Sequence, residues 1–182
     1  IVHGNILTAQ ADALILTIDG KKRGLEGNIA RAFARRWKDA WIDIEDQIRY
    51  PVPLGRTVAT RPENDCPFPL VLIASTLHHI EQLNDAEKQA VIRSALHEAI
   101  ELAQRYKARR IATAVMTGGW RLGPEAALES MFDVLSTISS PTSLILHLLS
   151  RKDLELAVEV ARRRDIAFAA HETAEQVGGE AN

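Results

Sequence analysis

Cysteine is almost absent: Cys66 is the only one in 182 residues. A lone thiol closes no internal disulfide. In Asp65-Cys66-Pro67 it also has no second thiol or spaced histidine pair with which to hold a metal, so the composition leads us to expect a reducing cytoplasm. An excess of either charge is lacking too, with 22 Lys and Arg against 24 Asp and Glu, a net charge of -2. That balance disfavours generic nucleic-acid binding, which needs a basic face to neutralise phosphates. No apolar run reaches the roughly 18 residues that cross a bilayer, so no membrane association is expected, and the opening residues lack the profile of a signal peptide. Ile1-Val2-His3-Gly4 is already strand-like, as though the natural start lay upstream. The length suits one domain with a single substantial core.

What is present is a regular alternation of short apolar runs and longer helical patterns, the signature of crossover units around a mostly parallel sheet. Ala13 to Thr17, Leu70 to Ser75, Ile111 to Val115 and Ser143 to Leu149 read as central strands covered on both faces. Arg56 to Ala59 reads as a shorter strand near an edge, and Ile166 to Ala169 as a last strand. Asn84 with Glu87 predicts a capping box at the head of a long helix, and Pro124 after Gly123 predicts another helix start. Ser150 with Asp153 repeats the capping pattern. Between Asn28 and Ile48 the pattern is helical but interrupted by charge, with Phe33, Trp37, Trp41 and Ile44 facing inward as a core stripe. The expected architecture is a three-layer α/β/α domain over residues 1–170, with a mixed, mostly parallel sheet and a polar, mobile tail over 171–182.

In such sheets the ligand cleft forms beyond the carboxyl ends of the strands. Two loops there are rich in glycine. One carries Gly20, Gly24 and Gly27 ahead of a helix near Asn28; the other carries Gly118, Gly119 and Gly123 ahead of Pro124. Glycine permits positive φ and close backbone approach, and unpaired amides at a helix start attract an anion, so two such loops can grip a diphosphate. Equally, glycines after strands can simply turn the chain. Neither loop has the Gly-x-Gly-x-x-Gly fingerprint or the P-loop lysine, which excludes a Rossmann dehydrogenase and a nucleotide triphosphatase. Lys21, Lys22 and Arg23 form a short basic run beside the first loop, either drawing in an anion or simply solvated. His78 and His79, being adjacent, point to opposite sides and make a poor chelate. His97 is expected to face solvent, and His147, inside a strand, to be a hydrogen-bonded core residue. No metal and no cofactor are expected.

The succession Gly4-Asn5-Ile6, Ala11-Asp12-Ala13-Leu14-Ile15, Gly24-Leu25-Glu26-Gly27-Asn28-Ile29-Ala30, Pro53-Leu54-Gly55 and Thr117-Gly118-Gly119-Trp120 resembles the macrodomain family in motif order and spacing. The resemblance implies a pocket for ADP-ribose or a related nucleotide diphosphate, free or carried on an ADP-ribosylated protein. It places Asn5 and Ile6 beside the adenine, Gly24, Leu25 and Gly27 on the diphosphate and distal ribose, and Thr117, Gly118, Gly119 and Trp120 on the other side, with Trp120 over the ribose. Glu26 aligns with an aspartate that activates water in some hydrolytic members, and Asp19 shares that cleft, so both are candidate catalytic carboxylates. The chain departs from the family where Asn5 replaces an aspartate, where Thr17-Ile18-Asp19-Gly20 replaces an Asn-Ala-Ala-Asn stretch, and where Arg121 replaces a glycine. Those departures leave two further readings open: a degenerate domain serving as a protein-interaction module, and a hydrolase of another phosphorylated nucleoside.

Overall fold

In the computed structural model, residues 1–24, 26–119, 121–138 and 142–172 are described. Side chains that alternate between the two buried faces of the central strands build three layers. In β2 (Ala13–Asp19), Ala13 and Ile15 face one core, while Leu14, Leu16 and Ile18 face the other. The same alternation in β4 (Leu70–Leu77) sends Leu70, Leu72 and Ala74 one way and Val71 and Ile73 the other. The first core is closed by α3 (Asp85–Arg105), α4 (Pro124–Thr137) and α5 (Arg151–Arg163), and the second by α1 (Asn28–Arg36) and α2 (Lys38–Gln47).

With β1 (Val2–His3), β3 (Thr57–Thr60), β5 (Arg110–Thr113), β6 (Ser143–Leu148) and β7 (His171–Glu172), the sheet runs β3-β4-β2-β5-β6-β1-β7. Among the described residues, β3–β4 is the one antiparallel strand pair. The three-layer α/β/α arrangement with a mixed, mostly parallel sheet is therefore the one expected from the sequence.

Several local expectations hold. Asn84 and Glu87 exchange both bonds of a capping box, Ser150 caps α5 through the Asp153 N–H, and Pro124 opens α4. His97 is about half-exposed. The aromatic stripe is a core cluster in which Phe33, fully buried, lies between Trp37 at 5.0 Å, Trp41 at 6.1 Å and Phe68 at 6.5 Å.

Others are corrected. The interrupted pattern over 28–48 is two helices that break at Trp37, whose backbone leaves helical values (φ -130, ψ 69). Ile166 to Ala169 is not a strand. The Ile166 N–H closes back on the Ala161 carbonyl after α5, and Ile166 and Phe168 pack against the first core instead of entering the ladder. The pairing falls later, where His171–Glu172 joins β1, within the stretch expected to be a tail; residues 173–182 lie outside the described residues.

His147 is in β6 as expected, but neither of its buried ring nitrogens has a hydrogen-bond partner. Burial holds its pKa below the ordinary 6.5. Below that value the unfolded chain takes up the proton before the folded one, so stability is full above about pH 6.5 and falls as the pH drops. Urea midpoints at pH 5 and pH 7.5 should differ less in His147→Leu than in the parent. An equal difference in both would remove His147 as a source of acid sensitivity.

Candidate functional site

The two glycine loops leave adjacent strands: β2 and β5 are parallel, hydrogen-bonded neighbours. Each loop runs into a helix whose first turn lacks a side-chain cap, α1 at Gly27 and α4 at Gly123. By contrast α3 and α5 are capped by Asn84 and Ser150. Backbone N–H groups at two helix starts are thus available at the same end of the sheet, where the aligned peptide dipoles also favour negative charge.

Loop 20–27 is held from below and from the side. Gly20 packs so closely that a Cβ there would lie 2.1 Å from Ser75 Oγ and 2.4 Å from the Val52 carbonyl, so no larger residue fits. Glu26 bridges back to Ile18, and the Gly27 N–H donates to the Thr17 carbonyl. Arg23 is committed to the buried Glu45 carboxylate and to Asp46 at 3.0 Å, so the member of the basic run next to Gly24 fastens the loop to α2. The Tyr50 hydroxyl donates to Glu45 at 3.1 Å; burial and the nearby Glu45 and Glu26 carboxylates push its pKa above the ordinary phenol value.

The second loop folds over the end of β2 towards β4. Gly118 and Gly119 take positive φ, 59° and 68°. A Cβ on them would approach the Thr76 carbonyl at 3.0 Å and Leu77 Cδ2 at 2.9 Å. The Leu122 N–H closes the turn on the Thr117 carbonyl at 3.1 Å. Arg121 donates to the carbonyls of His79 and Glu81, at 3.3 and 3.4 Å.

Asp19 meets the same β4–α3 segment from the other side. It accepts from the Lys21 N–H at 3.0 Å, and from the His79 N–H and Nδ1, both at 2.8 Å. Burial opposes its charge, but these bonds outweigh it and keep the carboxyl below its usual pKa. His78, behind it, is buried between Glu81 and the Val52 carbonyl, each at 2.8 Å from a ring nitrogen. The two rings bind different partners, His78 with Glu81 and the Val52 carbonyl and His79 with Asp19, and among the described residues no group of three or more His, Cys, Asp or Glu is placed to hold a metal ion.

Of the candidate residues, Asp19, Glu26, Gly24, Gly27, Thr117, Gly118 and Gly119 share the β2–β5 end of the sheet, whereas Asn5 and Ile6 follow β1, further along it. Leu25 and Trp120 lie outside the described residues. Asn5 is exposed and caps a short 3-10 helix (Ile6–Thr8), and Ile6 is buried beneath it. Sequence reasoning singled out His79 but missed its pairing with Asp19, 60 residues away, and it placed Leu149 in a doubly covered strand, whereas β6 ends at Leu148 and Leu149 is 74% exposed. A groove of about 530 Å³ between α3 and α4 lies away from these loops, and its charges are paired internally, Arg56 with Glu98 at 2.7 Å and Arg93 with Asp133 at 3.9 Å.

This layout defines an α/β/α domain with two glycine loops at the carboxyl ends of neighbouring parallel strands. Its fold is that of the macrodomains, in a divergent sequence. The Oceanobacillus iheyensis macrodomain solved with ADP superposes with a TM-score of 0.75 at 14% identity, over 88% of this chain and 87% of that one. The macrodomain of Mycobacterium tuberculosis DarG gives 0.63 at 18% identity, over 82% and 99%. The alphavirus P23pro-zbd gives 0.69 at 19% identity over 95% of this chain, which spans only 24% of that longer one. No protein-family model and no curated protein matches the sequence. Among the described residues no helix is long and apolar enough to cross a membrane.

Proposed function

We propose that this chain binds ADP-ribose or a related nucleotide diphosphate, free or attached to a protein, with the diphosphate between loops 20–27 and 117–123. One observation carries the reading: two glycine loops from neighbouring parallel strands each lead into a helix start without a side-chain cap. Such amides bind phosphate oxygens without a basic side chain, which suits a loop whose Arg23 is already committed elsewhere. The related fold solved with ADP, and a mutant of the same Oceanobacillus protein solved with ADPR, support the choice of ligand. Calorimetric titration of ADP-ribose, with AMP and ribose 5-phosphate as partial ligands, tests it. Binding near micromolar strength, about -8 kcal/mol, is expected, and each half-ligand should bind far more weakly. Equal affinity for AMP and ADP-ribose would remove the diphosphate from the account.

Hydrolysis at the distal ribose is the second reading. Glu26 is the better placed of the two carboxylates, because it is only half-buried whereas Asp19 is buried and already accepts three hydrogen bonds. A general base needs a lone pair aimed at water. On an ADP-ribosylated protein substrate, Glu26→Gln should keep binding and lose turnover by about 100-fold or more. Undiminished turnover in that variant would exclude Glu26 as the base.

A further inference from the structure

His79 stands where β4, β2 and the second glycine loop meet. Asp19 closes β2 and is in register with Leu77, the last residue of β4, so the segment that leaves β4 through His79 begins directly beside it. The second glycine loop lies against the same strand end: a Cβ on Gly119 would touch Leu77 Cδ2, and Arg121 donates to the His79 carbonyl at 3.3 Å. Glu26 reaches the end of β2 as well, through its bridge to Ile18, the residue before Asp19. A ligand whose diphosphate lies between the loops of β2 and β5 extends over β6 on one side and over β4 on the other, and His79 is on the β4 side.

The ring is held from one side only. Its Nδ1 lies 2.8 Å from Asp19 Oδ2, and a carboxylate only accepts, so Nδ1 carries the hydrogen. The His79 N–H reaches the same oxygen at 2.8 Å and the Lys21 N–H holds Oδ1 at 3.0 Å, which fixes the carboxylate in turn. The Asp19 side chain is 5% exposed and that of His79 47%, and Nε2 has no partner among the described residues. A buried carboxylate behind an imidazole whose outer nitrogen is open is an arrangement that lets histidine exchange a proton with a reacting group. Resting on the hydrolytic reading above, in which Glu26 takes a proton from water, we infer that His79 is the general acid of the same step, with Asp19 as its positioning residue, and that the linkage cleaved is to a hydroxyl such as a serine side chain. The water oxygen bonds to the anomeric carbon of the distal ribose as its proton passes to Glu26. The bond from that carbon to the linked oxygen breaks, its electron pair stays on that oxygen, and the oxygen takes the proton from Nε2. An alkoxide leaves poorly without that proton, whereas a carboxylate or an activated phenolate leaves without help.

The test compares turnover of a serine-linked ADP-ribosyl peptide with that of the p-nitrophenyl glycoside of ADP-ribose, in the parent and in His79→Asn, with calorimetry of ADP-ribose showing that the cleft is intact. Asparagine keeps an N–H for Asp19 near the place of Nδ1 and lacks Nε2. His79→Asn is expected to lose about 100-fold on the serine linkage and less than about tenfold on the p-nitrophenyl compound, whose leaving group needs no acid. Asp19→Asn should show the same split, which a purely structural role would not produce, because loss of fold slows both substrates alike. Equal losses on the two substrates in His79→Asn, or no loss, overturn the acid and leave Glu26 to be judged by its own variant. A parent that binds ADP-ribose and cleaves neither substrate removes the hydrolytic reading and this inference together, while binding stands; a parent that does not bind removes the cleft itself.

Discussion

Gly119→Glu should weaken nucleotide-diphosphate binding by several hundred-fold, about 700-fold. A carboxylate there enters the loop facing the diphosphate, and two like charges about 4 Å apart repel by about 4 kcal/mol at an effective dielectric of 20, where each 1.4 kcal/mol is about tenfold in affinity. The substitution also has a cost for the fold. Gly119 sits at φ 68°, a conformation that costs any other residue about 1–2 kcal/mol. Its Cβ would press on Leu77 Cδ2, the movable tip of a side chain. The melting temperature should therefore drop by a few degrees. Gly119→Ala separates the two effects, because it carries the same backbone strain without the charge and should retain most of the affinity. If the alanine variant binds as weakly as the glutamate variant, loop geometry is responsible and charge repulsion is not.

Asp19→Ala should destabilise the protein by about 3 kcal/mol, measured by urea unfolding at pH 7. The side chain is buried, and its removal leaves the Lys21 N–H and the His79 N–H and Nδ1 without their acceptor. Bonds to a charged group contribute about 1.5–3 kcal/mol each, and water recovers part of that at the half-exposed His79. The pH dependence gives the sign. The folded pKa lies below the ordinary 3.8, so the contribution is present above that value and is lost as the pH falls through the folded pKa. The parent should lose stability there more steeply than Asp19→Ala. Equal slopes would mean that the carboxylate does not hold the β4–α3 segment in this way.

What the sequence made legible is what depends on near neighbours. The capping box at Asn84 and Glu87, the Ser150 cap and the Pro124 start use residues within one turn, and the apolar runs of β2 and β4 are long enough to announce strands buried on both faces. The break at Trp37 carries no proline or glycine; it accompanies Trp37 packing on Phe33 and edge-on to Phe68, a contact across 31 residues. β7 could not be read because two residues, His171 and Glu172, acquire their state only by pairing with β1 at the other end of the chain. The same division runs through the site. The glycine loops could be located from their own residues, whereas the pairing of Asp19 with His79 depends on the folded backbone.

The central claim is that the ligand lies between the two glycine loops, and amide chemical-shift mapping during a titration with ADP-ribose tests it most directly. The account predicts saturable shifts at Gly24, Glu26, Gly27, Asn28, Thr117, Gly118 and Gly119. Shifts confined to the α3–α4 groove around Arg56, Arg93 and His97, or none at millimolar ADP-ribose, would contradict it.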